Sequence, residues 1–200
     1  ETYDFPEKRL EARHYEHADR AKPLIFISHL RTGEFSASLR EIVDRLVAQV
    51  DEATLHRWDL PVIGRPWSLS QGEHDALGQE SEYAAWVAAL GYRANHFTVD
   101  VNALEGFDSI GELNAFLQAN GIALSEAGGQ IKGSPEVYLE QSSTRAGEVT
   151  VAFRDGERVV PGCYYEFARR YPLPGGELFR GFVAKSADRI FQSTDRDAAR

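Results

Sequence analysis

The chain has 200 residues, of which 42% are hydrophobic and 26% charged, and its net charge is −9. Eleven Phe, eight Tyr and three Trp supply the apolar area that ordering requires, so a disordered chain is excluded. No apolar run approaches a membrane span, and an acidic balance without a basic stripe argues against nucleic acid as a partner. The single cysteine, Cys163, cannot form an internal disulfide and fits a reducing, cytoplasmic compartment. Methionine is absent, even at position 1, which leads to the expectation that residues precede Glu1.

In chain order, the charged opening Glu1–Asp19 carries Pro6, which disfavours a helix, and His14 and His17 are expected in a turn. Leu24-Ile25-Phe26-Ile27-Ser28 reads as a buried strand. Phe35, Leu39, Ile42, Val43, Leu46, Val47 and Val50 recur at helical spacing and predict a helix over 36–50. Residues 57–80, with Pro61, Gly64, Pro66, Gly72 and Gly78, read as a long connection. A helix then starts at Ser81, presents Trp86, Val87 and Leu90 on one face, and ends at Gly91.

Residues 94–101 alternate as a strand. Ser109 caps a helix with Ile110, Leu113, Phe116 and Leu117 as its stripe, and Asn120-Gly121 stops it. Further strands are predicted at 137–141, 149–153 and 159–167, the last two joined by Arg154-Asp155-Gly156-Glu157, with Pro161-Gly162 marking a bulge or a late start. The order from 94 to 168 is therefore βαβββ. No internal repeat is evident.

His96 and Glu166 fall on the first and last strands of that unit, where an unpaired imidazole and carboxylate are costly to bury. A divalent metal removes the cost, because both side chains ligate Fe(II), Mn(II) or Zn(II). The competing explanation is a satisfied core histidine, with Glu166 paired to Arg169 or Arg170. A facial triad needs a third donor. Of the remaining histidines, His29 at a strand end is the better candidate, while His56 and His74 read as solvated. Alternation places Tyr164, Ala168 and Arg170 on the face of Glu166, so Arg170 is a candidate clamp for an anionic substrate. Cys163 lacks an activating base.

Several segments in this order have a familial character: Arg13-His14-Tyr15-Glu16-His17, Phe26-Ile27-Ser28, Asn95-His96-Phe97-Thr98-Val99, Tyr164-Tyr165-Glu166-Phe167-Ala168-Arg169-Arg170 and Ala187-Asp188-Arg189-Ile190-Phe191. Together they resemble the 2-oxoadipate dioxygenase/decarboxylase family, long catalogued as a domain of unknown function and related to the vicinal oxygen chelate superfamily. The resemblance implies an α+β fold of paired βαβββ modules, with a mixed or antiparallel sheet curled around a metal site and the first module incomplete. It implies one domain. Residues 1–35 would be the rest of the first half, 36–91 a helical connection, 92–171 the second half and 172–200 a C-terminal segment.

By the same resemblance, Fe(II) is held by two His and one Glu, with His96 and Glu166 matching the second histidine and the glutamate. The first histidine belongs to a His-x-x-x-Arg segment that has no match in this chain and is expected upstream of Glu1. The implied reaction, part of lysine catabolism, takes 2-oxoadipate and O₂ to 2-hydroxyglutarate and CO₂. Two alternatives remain: a Zn(II)-, Ni(II)- or Mn(II)-dependent lyase, isomerase or hydrolase on the same fold, and a metal-free protein that binds a small molecule.

Overall fold

The computed structural model describes residues 1–182, and the chain divides into two units. Glu1–Arg93 with Val151–Arg158 makes the first; Ala94–Thr150 with the chain from Val159 onward makes the second. The segment Ala187–Phe191, and with it part of the expected C-terminal segment, lies outside the described residues.

The first unit opens with an antiparallel sheet of β1 (Thr2–Phe5), β2 (Leu10–Tyr15) and β3 (Ile25–Leu30), in the order β1-β2-β3. Alternation turns Tyr3, Phe5, Leu10 and Ala12 inward. His14 follows the same alternation and is buried on β2, not in the expected turn. Its ring is satisfied on both sides, by the Tyr3 hydroxyl at 2.9 Å and Glu16 Oε1 at 3.2 Å.

Helix α1 (Ala37–Val47) starts where Ser36 accepts from the Leu39 amide, and it buries Leu39, Ile42 and Leu46. It stops three residues before the predicted end, because the Gln49 and Val50 amides turn back to the Leu46 and Val47 carbonyls in tighter turns. One helical turn, α2 (Glu52–Leu55), follows, capped by Asp51.

The stretch 57–80 is not simply a connection, since it contains α3 (Gln71–Glu80). Its signal is a capping box, with Ser70 accepting from the Glu73 amide while Glu73 accepts from the Ser70 amide. Gly72 and Gly78 mask it, since neither contributes to an apolar stripe. Ser81 ends α3 and caps α4 (Glu82–Leu90). The face that α4 buries is Ala84, Ala85, Ala88, Ala89 and Leu90. Trp86 and Val87, expected to lead that face, are half-buried.

In the second unit, β4 (His96–Asp100) and α5 (Ile110–Ala119) precede β5 (Lys132–Ser134) and β6 (Leu139–Ser143). A hairpin of β7 (Glu148–Phe153) and β8 (Gly156–Pro161) comes next, then β9 (Tyr164–Arg170). The sheet order is β4-β9-β6-β5, with β4 parallel to β9 and the other pairs antiparallel. Helix α5 covers one face, packing Ile110, Leu113 and Leu117 with Val101, Leu124 and Phe167. Phe116, expected in the stripe, is half exposed, and Asn114 is buried in its place, accepting from the Ser142 hydroxyl at 2.8 Å.

The unit is βαβββ, as predicted, but its three closing strands are β5, β6 and β9. The predicted strand at 137–141 starts two residues late, because Pro135–Val137 is a 3-10 turn and Tyr138 is left-handed at φ 60°. The predicted strand at 159–167 is two strands in two different sheets, broken at Pro161-Gly162. The β7–β8 hairpin is thus an insertion. Its tip belongs to the first unit, where Arg158 pairs with Asp75 and the Gln71 amide donates to Asp155 at 2.8 Å.

The strand–turn–strand element recurs, although no repeat is evident from the sequence alone. Pro6-Glu7 and left-handed Arg9 (φ 52°) precede Leu10-Glu11, just as Pro135-Glu136 and left-handed Tyr138 (φ 60°) precede Leu139-Glu140. The registers match as well. Leu10 pairs with Leu30 and His14 with Phe26; Leu139 pairs with Arg170 and Ser143 with Glu166.

Gly133 holds β5 against β6 at φ +81°, where a Cβ would stand 2.0 Å from the Leu139 carbonyl oxygen. Gly133→Ala is expected to destabilise the protein by about 2 kcal/mol or more, from strain plus displaced backbone. An unchanged denaturation midpoint would contradict this. In the first unit, Tyr83 donates to the Ser28 carbonyl at 2.7 Å, and burial pushes its hydroxyl up to about 12. The unfolded tyrosine ionises near pH ~10, so stability should fall as pH rises from there towards 12. Tyr83→Phe should flatten that alkaline limb in melting curves.

Candidate metal centre

The strand register of the second unit decides which side chains meet. His96 pairs with Tyr164 and Thr98 with Glu166 across β4 and β9. Gln141 pairs with Ala168, and Lys132 with Gln141. Period-two alternation therefore puts His96, Thr98, Lys132, Gln141, Glu166 and Arg170 on one face, opposite the face that α5 covers. The sequence puts His96 and Glu166 on the first and last strands of the unit, and the structure makes those strands adjacent, with the two residues as diagonal neighbours.

Glu166 is 2% exposed. Its Oε1 accepts from the Thr98 hydroxyl at 3.0 Å and from the Gln141 amide at 2.8 Å. No described residue donates to Oε2. The carboxylate therefore has one oxygen anchored and one available.

His96 has the matching asymmetry. Its ring stacks on Tyr164 at 4.8 Å and 15°, and Nδ1 lies 3.1 Å from Asn95 Oδ1. Oδ1 only accepts, so Nδ1 carries the hydrogen and Nε2 the lone pair. No described residue bonds Nε2. Burial pushes the imidazole towards its neutral form, partly opposed by the Glu166 carboxylate. Burial, with the Glu166 and Cys163 charges, holds the Tyr164 hydroxyl well above its usual range.

The donor set suits a divalent cation such as Fe(II): a neutral imidazole nitrogen and a carboxylate oxygen on one face, each held from behind through its other polar atom. The set is short by one, since no group of three His, Cys, Asp or Glu that could hold a metal occurs among the described residues.

The other sequence candidates disperse. His29 is exposed on β3 opposite Glu11, and His56 is exposed 3.8 Å from Glu52. His17 accepts from the Asp19 amide at 2.9 Å. His74, expected in solvent, is buried on α3 with its ring edge-on to Phe153 at 5.3 Å. The Cys163 thiol donates to the Ala94 carbonyl at 3.1 Å. Arg170 donates through Nη1 to the Phe179 and Gly181 carbonyls at 3.0 and 2.8 Å, contacts that orient a guanidinium without removing its charge.

Sequence reasoning missed Thr98, Gln141 and Lys132. Lys132 is 5% exposed and sits on β5, a strand of three residues whose signal is lost between Gly129 and Pro135. The repeat sharpens the picture. In the first unit the counterparts of Lys132, Gln141, Glu166 and Arg170 are Tyr3, Ala12, Phe26 and Leu30, so the second unit alone carries this polar constellation. The reverse face bears exposed Phe97 and Tyr165, which line an open pocket of about 510 Å³ with Ile122, Thr144, Arg145 and Cys163. That pocket contains neither His96 nor Glu166.

A family model described as 2-oxoadipate dioxygenase/decarboxylase matches residues 65–180. The chain belongs to that family. Two plant members bear the same name, a chloroplastic/amyloplastic protein of Oryza sativa subsp. japonica and a chloroplastic protein of Arabidopsis thaliana. The rice protein is 33% identical, over 88% of this chain and 52% of its own length. The Arabidopsis protein is 34% identical, over 86% of this chain and 50% of its own length. The chain thus spans about half the length of these relatives.

Among solved structures, rice hydroxyglutarate synthase in complex with 2-oxoadipate aligns with a TM-score of 0.91 and 31% identity, over 100% of this chain and 72% of that one. A Shewanella frigidimarina protein, described only as a candidate hydrolase, aligns at 0.89 with 50% identity, over 92% of this chain and 72% of that one. A glyoxalase superfamily protein of Ralstonia eutropha shares the fold, with a TM-score of 0.76 at 24% identity, over 92% of this chain and 64% of that one. The α+β fold is therefore that of the family and of the glyoxalase-like proteins. No helix among the described residues is long and apolar enough to cross a membrane.

Glu166→Leu strands the buried Gln141 amide, while the exposed Thr98 can turn its hydroxyl to water. In the metal-free protein it should cost about 1–3 kcal/mol, whereas Glu166→Gln keeps an acceptor oxygen and should cost less. Equal melting temperatures for the two variants would contradict the hydrogen-bond assignment.

Proposed function

We propose that the intact protein is a non-haem, Fe(II)-dependent enzyme that converts 2-oxoadipate and O₂ to 2-hydroxyglutarate and CO₂. The equation balances, with one carbon leaving as CO₂ and both atoms of O₂ retained in the two products. The observation that carries the reading is the pair of atoms left without a partner among the described residues, His96 Nε2 and Glu166 Oε2, on one face of the sheet. The family and the rice relative's bound 2-oxoadipate support the substrate class.

Each residue has a role that follows from its surroundings. His96 and Glu166 would hold the iron with one further donor, which this pair does not supply. When bound, the metal would supply a chelation point for the 2-oxo acid and a site for O₂. Asn95 fixes the histidine tautomer, Tyr164 fixes the ring plane, and Thr98 and Gln141 fix the carboxylate. Arg170 is assigned to the substrate's distal carboxylate, because it shares the face of Glu166 and keeps its charge. Burial of Glu166 and Tyr164 keeps water from competing for these polar atoms.

The hydrolase description of the Shewanella relative favours a second reading, hydrolysis by a different divalent metal on the same residues. Oxygen uptake separates the two. His96→Ala and Glu166→Ala in the intact protein should each lower metal content and 2-oxoadipate-dependent O₂ uptake by a hundredfold or more. Unchanged uptake in either variant would overturn the assignment, as would wild-type turnover without O₂.

A further inference from the structure

We infer that Thr98 and Gln141 are positioning residues that restrict Glu166 to binding the metal through a single oxygen. This rests on the reading of His96 and Glu166 as metal ligands, and goes beyond it by assigning the denticity of the carboxylate and the residues that set it. The two donors come from the strands on either side of β9: Thr98 from β4 and Gln141 from β6. Both reach the same oxygen, Oε1, at 3.0 and 2.8 Å.

An oxygen that accepts two hydrogen bonds has its in-plane lone pairs engaged, so a cation approaching the carboxylate meets electron density at Oε2. A chelating carboxylate would need Oε1 to leave both donors, with the Gln141 amide then buried and unpaired (Gln141 is 4% exposed). Binding through one oxygen would leave a further coordination position for the substrate. The arrangement belongs to the second unit alone. At the corresponding places in the first unit stand Ala12 and Phe26, which neither donate nor ligate.

The clamp depends on the register of β4 against β9. Thr98 lies directly opposite Glu166, and a slip of one residue would turn it to the α5 face.

The test is Co(II) binding to the intact, metal-free protein, followed by a competing chromophoric chelator and by the visible spectrum of the bound ion. Thr98→Val removes the hydroxyl at nearly constant volume, Thr98→Ser keeps it, and Gln141→Met removes the amide. Thr98→Val and Gln141→Met should each weaken Co(II) binding about tenfold or more and alter the Co(II) spectrum, as loss of an outer-shell partner does. Thr98→Ser should bind like wild type.

Wild-type affinity and spectrum in both Thr98→Val and Gln141→Met would overturn the clamp while leaving the ligand assignment in place. Equal losses in Thr98→Ser and Thr98→Val would also overturn it, since the effect would then be packing. A wild-type protein that binds no Co(II) would instead overturn the ligand reading itself. Melting temperatures of the metal-free variants identify any that fail to fold, and Thr98→Val, the smallest change, decides the matter alone if Gln141→Met is one of them.

Discussion

The second unit is organised around one buried carboxylate. An ionised Glu166 inside a sheet costs several kcal/mol of lost hydration unless the protein replaces what water gave it. Thr98 and Gln141 do so, and because they belong to the two strands flanking β9, the same bonds fix the register of three strands. Stabilisation and site formation are here the same interactions. What they leave unsatisfied is as informative as what they satisfy, since Glu166 shares its face of the sheet with His96, whose imidazole burial pushes towards the neutral form.

The repeated strand–turn–strand element shows how one scaffold can carry a polar face in one copy and a packed one in the other. Both copies use Pro-Glu, a left-handed residue and Leu-Glu to turn from one strand into the next. Their inward positions then diverge: Tyr3, Ala12 and Phe26 in the first, Lys132, Gln141 and Glu166 in the second. In the first copy those positions form a packed aromatic group, with Tyr3 against Phe26 at 5.7 Å and against His14 at 5.9 Å. The backbone rule is shared, while the side chains decide whether the face is packed or polar.

The parts of this arrangement that repeat at short range were legible in the sequence. Helical spacing gives α1, serine caps give α4 and α5, and alternation gives β4; an apolar run gives β3, although Ile25 and Ile27 are exposed on it and the strand is not buried as expected. Placing His96 and Glu166 in strands follows from the same signals. Other parts depend on partners far along the chain. Strand β5 has only three residues and no periodicity of its own, so it exists by pairing with β6. The division of 159–167 between two sheets follows from where each half finds a neighbour, although Pro161-Gly162 marks the break. Helix α3 was hidden by glycines although its capping box is present in Ser70 and Glu73. Thr98 and Gln141 read as ordinary strand residues until the register sets them 68 and 25 positions from the carboxylate they hold.

The most direct measurement of the central claim is a stoichiometric turnover experiment on the intact wild-type protein. Metal-free protein is loaded anaerobically with Fe(II), mixed with 2-oxoadipate, and exposed to a measured amount of O₂. One O₂ consumed and one CO₂ released for each 2-oxoadipate lost, dependent on added iron, is the result predicted. Loss of 2-oxoadipate without O₂ consumption, or at the same rate without iron, would contradict it.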